Sequence, residues 1–412
     1  MTLDQTNDEN CCRAGASLPK LCDRGHVVVI SRHYMQITGS SVVIRNLLAR
    51  FDPRSYTLIV RDVSGPAPGE PEPGVLVHAI DAGLPGPVPH RLEHLWRQHQ
   101  PFLRSRVKRL VKSLSPTVIV GVYPDLEFLQ FARLAARDLR IPWAAYVHDA
   151  VVGASWHTKY AAWARTLQAQ MFAEASSIFV TGGIQRLYRE KYGKATTSLP
   201  IAYPEPIPEK LPEDRDIRRE AFWGGGIYEM NARGLKRLLT ALEEVKCPLA
   251  LRTPSNDDTL ERYGITGECV RREVMRDRPE YLEALRRRGL LVAALDWPDE
   301  TNWHDEELSI VFPTKAVEYL ASGRPILVHC PERYFLAQFF LEHKCGLVIT
   351  ERDHKALVDA VNRLLRGGDE VIRMRKAALA AAQLLSMDRL APTFQSEINA
   401  VARLSWGEKV SS

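Results

Sequence analysis

The feature that most limits what this chain can fold into is a rhythm. Short runs of β-branched and apolar residues recur along its length, and helix-period segments separate most of them. In the first half the runs are "HVVVIS" (26–31), "YTLIV" (56–60), "VLVHAI" (75–80), "TVIVGVY" (117–123), "WAAYVH" (143–148) and "SSIFVT" (176–181). Runs without polar alternation suit strands buried on both faces, and parallel strands need crossover segments between them. The pattern predicts an open, doubly wound α/β sheet. "LPIAYPEPIPEKLPEDRD" (199–216) then interrupts it with prolines and charges. Beyond that, "EAFWGGGIY", "PLALRT", "LLVAAL", "PILVHC" and "CGLVIT" begin a second α/β block. A length of 412 residues, 45% of them hydrophobic, supplies two cores of ordinary size. The expected division is a disordered tail over 1–24, a Rossmann-like domain over 25–200, a linker over 201–216, a second Rossmann-like domain over 217–390, and a helix and tail over 391–412.

Charge excludes some functions. Fifty-five Lys and Arg stand against fifty Asp and Glu, which is not the basic footprint of a nucleic-acid binder. Seven cysteines, at 11, 12, 22, 247, 269, 330 and 345, show no Cys-x-x-Cys spacing. They read as reduced thiols in a cytoplasm. The N-terminus lacks the apolar core of a signal peptide. No run reaches the ~18 apolar residues that span a bilayer, so membrane contact is expected to be peripheral. "PFLRSRVKRLVKSL" (101–114) is the segment for it: Leu103, Val107, Leu110, Val111 and Leu114 share one face, and Arg104, Arg106, Lys108, Arg109 and Lys112 crowd the rest. Such a helix either rests on an anionic bilayer or packs its apolar face on its own sheet.

Ligands of open parallel sheets gather at the carboxyl ends of the strands, so residues there are the site candidates. In "FPTKAVEYLASGRPILVH" (312–329), Thr314 is placed as an N-cap, Gly323 and Pro325 end the helix, and Lys315, Glu318 and Ser322 fall on one polar stripe. A lysine suits a phosphate and a carboxylate suits paired ribose hydroxyls. Equally, Glu318 could simply complement the helix dipole, worth roughly 0.3–1 kcal/mol. Gly225 and Gly226, in "WGGGIYEMNARGLKRL", let backbone N–H groups approach a diphosphate, to which the next helix adds its positive end. His148 and Asp149 end a strand, where a histidine serves proton and hydrogen-bond work or simply bonds a loop carbonyl. Gly39 and Ser40 stand between the first strand and its helix.

The Glu318 segment resembles the "P-S/T-K…E-Y-L-A-x-G-x-P" stretch of retaining, nucleotide-sugar-dependent GT-B glycosyltransferases of family 4, group 1. "GSSVVIRNLLARF", "YVHDAVV", "SSIFVTGGIQRLYREKYG" and "HKCGLVITERDHKALVDAVNRLL" resemble other stretches of that family, so the similarity spans most of residues 25–370. The resemblance implies two Rossmann-like domains facing a cleft. It also implies a nucleoside diphosphate sugar as co-substrate with no metal cofactor, and a glycan, lipid-linked or small-molecule acceptor bearing a hydroxyl. It gives Glu318 the donor ribose, sets Lys315 and Thr314 beside it among the donor-binding residues, and gives His148, with Asp149 beside it, the transferred sugar. Gly39 and Ser40 become the loop that approaches the phosphate or the acceptor. Arg233 stands near the family's diphosphate lysine, and Arg252 is a substitute for its arginine. The acid usually found about eight residues before the ribose glutamate is replaced by Ser309 and Ile310, with Glu306 and Glu307 displaced from it. The one Asp-x-Asp, Asp214 to Asp216, falls in the linker, away from any strand end. A sugar-nucleotide epimerase and a non-catalytic scaffold of the same fold are the alternatives.

Overall fold

A computed structural model describes residues 17–32, 34, 39–61, 73–81, 93–153, 158–214, 217–274 and 277–410. These residues form two parallel sheets. The first contains β1 (Val27–Ser31), β2 (Tyr56–Arg61), β3 (Leu76–Ile80), β4 (Val118–Tyr123), β5 (Trp143–Val147), β6 (Ser177–Val180) and β7 (Thr197–Ser198), in the order β3-β2-β1-β4-β5-β6-β7. The second contains β8 (Arg218–Gly224), β9 (Leu249–Arg252), β10 (Val270–Arg272), β11 (Arg288–Ala294), β12 (Ile326–His329) and β13 (Leu347–Ile349), in the order β10-β9-β8-β11-β12-β13. Each order reverses once, between β1 and β4 and between β8 and β11, giving each sheet a crevice at its switch point. Apolar clusters cover both faces of both sheets, which is why the strand sequences run almost without polar alternation.

Two expected boundaries move. Residues 17–24 are not a free tail: Leu21 and Cys22 are fully buried, and the Leu21 N–H donates to Ser55 Oγ at 2.9 Å. At the other end, the last long helix is Met387–Val401. Its Met387, Leu390, Phe394, Ile398 and Val401 join the core of the first domain. The chain therefore crosses between domains twice, and the crossings are paired. Tyr203 N–H donates to Leu385 O at 2.8 Å, and Met387 N–H donates to Tyr203 O at 3.0 Å.

The proline-rich linker is extended but anchored along its length. Arg278 grips Glu205 near its start. At its end, Asp214 accepts from Arg324 Nη1 at 2.7 Å and from Arg375 Nη1 at 3.0 Å. Both guanidiniums are almost fully buried. What is left to bend is the paired crossing at Tyr203 and Ser386. Replacing Asp214 by Ala would leave two buried guanidiniums facing each other with no anion, a loss of about 2 kcal/mol. Urea unfolding of D214A should show that drop; an unchanged midpoint would mean that the linker is not held there.

Candidate functional site

A cavity of about 510 Å³ lies between the domains at the carboxyl ends of the strands. His148 and Asp149 after β5 and Thr181 and Gly182 after β6 line it from the first domain. Gly224 to Gly226 after β8, Leu295 after β11, Glu307 and Ile310, and Thr314 and Lys315 line it from the second. The domains touch closely here. Gly183 N–H donates to Ile310 O at 3.0 Å. A Cβ on Gly182 would lie 2.8 Å from that same carbonyl oxygen, and one on Gly183 would lie 2.9 Å from Ile310 Cα. Both glycines are needed for the approach.

Lys315 is the most unusual group in the cavity. It stands in the first turn of the helix Thr314–Ser322, whose N-cap is Pro313 rather than Thr314. Only 9% of it is exposed, so the polar stripe expected from the sequence is largely covered, Ser322 being buried as well. Its Nζ sits 2.9 Å from the centroid of the Trp223 ring, and it has no hydrogen-bond or ion-pair partner among the described residues. Burial pushes its pKa well below the usual lysine range. A buried cation with one aromatic face for company favours an anion beside it.

The glycine run differs from its sequence reading. Gly224 N–H donates to Tyr319 Oη and Gly225 N–H to Arg252 O, each at 2.8 Å. Gly226 N–H is left without a partner among the described residues. Gly225 has φ 104°, and a Cβ there would touch Lys315 Cδ at 4.0 Å. The helix that follows, Ala232–Glu244, does not offer its N-terminus to a ligand. Asp296 already accepts from Arg233 N–H at 2.9 Å and from Gly234 N–H at 2.6 Å. That carboxylate is fully buried, and burial holds its pKa up at about 6 despite those bonds. Arg233 is exposed and lines a separate recess with Arg262 and Asp299, so it does not face the cavity.

Glu318 lies one helical turn beyond Lys315, outside the cavity lining. Its Oε1 accepts from Arg278 Nη1 at 2.7 Å and its Oε2 from Tyr281 Oη at 2.8 Å. Arg252, also off the lining, stacks 4.4 Å from the Tyr281 centroid. These side chains make a polar ledge beside the glycine run. Each carboxylate oxygen keeps a lone pair free for a hydroxyl. Gly39 and Ser40 open the helix Gly39–Leu48; their surroundings lie outside the described residues, while Val43 of that helix lines the cavity.

Two carboxyl groups meet across the cleft. Asp149 keeps more than a third of its surface open to the cavity while protein encloses it, and this desolvation raises its pKa to about 6. Glu307, on the helix Asp305–Ile310, is raised to about 7 by burial first and by the charge of Asp149 second. His148 packs its ring edge-on against Tyr146 at 4.3 Å and lines the same wall.

With this geometry in hand, the comparisons are informative. Residues 38–201 match the family model of the glycosyl transferase 4-like domain. Sucrose-phosphate synthase from Thermosynechococcus elongatus aligns with a TM-score of 0.65 at 15% identity, over 90% of this chain and 97% of that one. Anabaena HepE in complex with UDP-glucose aligns at 0.64 and 12%, over 90% and 99%. WaaG, a glycosyltransferase involved in lipopolysaccharide biosynthesis, aligns at 0.58 and 14%, over 90% and 98%. No curated protein matches the chain in sequence. The fold is GT-B.

In this GT-B cleft, sequence reasoning had placed His148, Asp149, Gly225, Gly226, Thr314 and Lys315, and all six line the cavity. It missed Trp223 under the lysine, Asp296 on the helix, Arg278 and Tyr281 on Glu318, and the inward position of Glu307. The spacing of Arg278 and Tyr281, three apart on the helix Arg278–Arg286, was the one visible signal.

The Asp149–Glu307 pair makes stability depend on pH. Both folded pKa values lie above their unfolded ones, so the folded state binds the protons more tightly. The contribution is complete below pH ~4 and is lost as pH rises through about 6 and 7. E307Q should therefore melt with the parent at pH 4 and a few degrees above it at pH 8. Equal differences at both pH values would count against the coupling.

Proposed function

We propose that the chain transfers a sugar from a nucleoside diphosphate sugar to a hydroxyl acceptor presented by the first domain. The observation that carries this reading is Lys315: a buried cation without a counter-ion, at the switch point of the second sheet, in a GT-B cleft. A diphosphate there would restore the lysine's charge and be stabilised as negative charge grows on it during bond breaking. The Gly226 N–H adds a donor beside it. Neutralisation then rests on protein groups, so the reading is metal-independent. Glu318 would hold the ribose from the ledge. His148 and Asp149 would meet the transferred sugar from the other domain.

Nothing in the cavity lining is placed as a covalent nucleophile behind the sugar by this reading. Retention is what the resemblance to retaining enzymes implies, and a front-side displacement, in which the departing phosphate takes the acceptor proton, would deliver it. Closure about the paired crossing would exclude water and suppress donor hydrolysis. UDP-glucose is the first donor to try, because HepE was crystallised with it. A second reading, epimerisation of the donor sugar, draws support from the Asp149–Glu307 pair, since that chemistry needs acid and base groups near the sugar.

K315M should weaken UDP binding roughly ten- to a hundredfold, and E318A should weaken it by a similar factor. Calorimetry on folded variants decides it, and unchanged affinity in either removes that residue's role. Transfer should persist in chelator. Conversion of UDP-glucose without any acceptor would favour epimerisation.

The helix Pro101–Leu114 packs Val107 and Val111 into the first core, with Leu103, Leu110 and Leu114 against it, as a helix of this sheet must. Arg104 and Lys108 are partly committed to Asp138, at 2.9 and 3.5 Å. Arg106, Arg109 and Lys112 remain exposed, and Phe102, 82% exposed, projects beside them. Among the described residues no helix is long and apolar enough to cross a membrane. We assign this face to peripheral contact with an anionic bilayer, where a lipid-linked acceptor would be met. Replacing Phe102 by Ser and the three cations by Gln should abolish sedimentation with anionic liposomes; retained sedimentation would refute the assignment.

A further inference from the structure

The second sheet uses its switch point for the donor cavity, and the first sheet has a switch point of its own, between β1 and β4. Charged side chains gather there. Arg32, just after β1, donates to Asp125 Oδ2 at 2.6 Å. Arg97 donates to Glu93 at 2.8 Å and to Glu127 at 3.2 Å. Arg61, the last residue of β2, interacts electrostatically with Arg32, Arg97, Asp125 and Glu127, so it belongs to the same cluster.

Donor groups in this cluster are in surplus. Arg61 is half-buried and has no hydrogen-bond or ion-pair partner among the described residues. Arg32 Nε is buried with no partner, and so is His94 Nδ1 on the neighbouring helix Glu93–His99. Among the described residues tied to the cluster by a printed contact or charge interaction, four cations, Arg32, Arg61, Arg97 and Lys159, accompany three carboxyl groups, Glu93, Asp125 and Glu127. Burial first, and the charge of Asp125 second, raise the Glu127 pKa to about 7, which deepens the surplus near neutral pH. A half-buried guanidinium and an unpartnered Nε, on adjacent strand ends at a switch point, are donors of the kind an oxyanion takes.

We propose that the switch point of the first domain is an oxyanion subsite for the acceptor, with Arg61 and Arg32 Nε as its donors. The acceptor is then a sugar bearing a phosphate or a carboxylate. This rests on the glycosyl-transfer reading for the word acceptor, but the oxyanion subsite itself does not depend on it. Strand spacing supports the geometry. β1 lies two strands and β2 three strands from β5, so the backbones of Arg32 and Arg61 stand roughly 10 and 14 Å from that of His148. The long arginine side chains reach into that interval, and an anionic sugar held by them would direct a hydroxyl to the cavity.

The test is titration of the full chain, watched by NMR, with glucose 6-phosphate, glucuronate and glucose in separate arms. At least one anion should bind roughly tenfold or more tightly than glucose. R61Q should abolish that preference, and R106Q, on the exposed face of the basic helix, should not. A preference for glucose 6-phosphate alone identifies a phosphate, and one for both anions identifies an oxyanion of either kind. Equal binding of all three sugars, or a preference that survives R61Q, overturns the proposal. UDP binding, measured on the same samples, separates the two claims. Intact UDP binding without anion preference sinks this inference alone, whereas anion preference without UDP binding supports the subsite and sinks the donor reading.

Discussion

A lysine held against an indole, with no anion paired to it among the described residues, is the constraint on which this cleft turns. Burying an ammonium is costly unless something compensates. Here the compensation within the chain is the face of Trp223, itself fully buried. The surroundings follow from that arrangement. Trp223, next to the end of β8, donates from Nε1 to Gly225 O at 3.2 Å, so the ring that supports Lys315 also fixes the loop beside it. Gly225, at φ 104°, bends that loop past the lysine stem as a residue with a Cβ could not without strain. The switch point between β8 and β11 opens the space beside the lysine. Lys315 and Trp223 are what distinguish this crevice from an ordinary strand-end cleft.

The ribose candidate and the linker share a partner. Arg278 binds Glu318 on one side and Glu205 on the other, while Tyr281 takes the second oxygen of Glu318. A ligand hydroxyl on Glu318 would share its oxygens with Arg278 and Tyr281. Glu205 lies two residues beyond Tyr203, the residue at which the first crossing pairs with the second. One guanidinium therefore touches both the proposed ribose carboxylate and the linker two residues beyond the crossing, so on the proposed reading an occupant of Glu318 would bear on both.

Much of the fold was legible because it depends on local rules. The long apolar runs became strands within a residue or two of their expected ends, and Gly323 ended its helix with φ 63° as a C-terminal glycine should. Strands β7 and β10 were invisible because each is too short to carry a pattern. The site was legible where strand ends define it, at His148 and Asp149 and along the glycine run, and illegible where distant residues intervene. The helix after the glycine run carries every local sign of an anion site, yet Asp296, more than sixty positions away, fills it. Arg233 belonged to the same expectation and lost its place with it. Leu21 and Cys22 sit in a polar stretch, and only their contacts with the first core make them buried.

The acid expected about eight residues before Glu318 is absent from that position, and the structure places a carboxyl group nearby. At that place stands Ile310, whose carbonyl receives Gly183 N–H and whose side chain packs close to that glycine. An acid there would place a charge in the tightest contact between the domains. Helical spacing offers another position: Glu307 is one turn earlier on the helix Asp305–Ile310, on the same face, and it lines the same cavity. Its neighbour Glu306 turns to Lys191 of the first domain and helps hold the helix in place. The apolar contact and the carboxyl group, which cannot share one residue, are thus divided between two residues a turn apart.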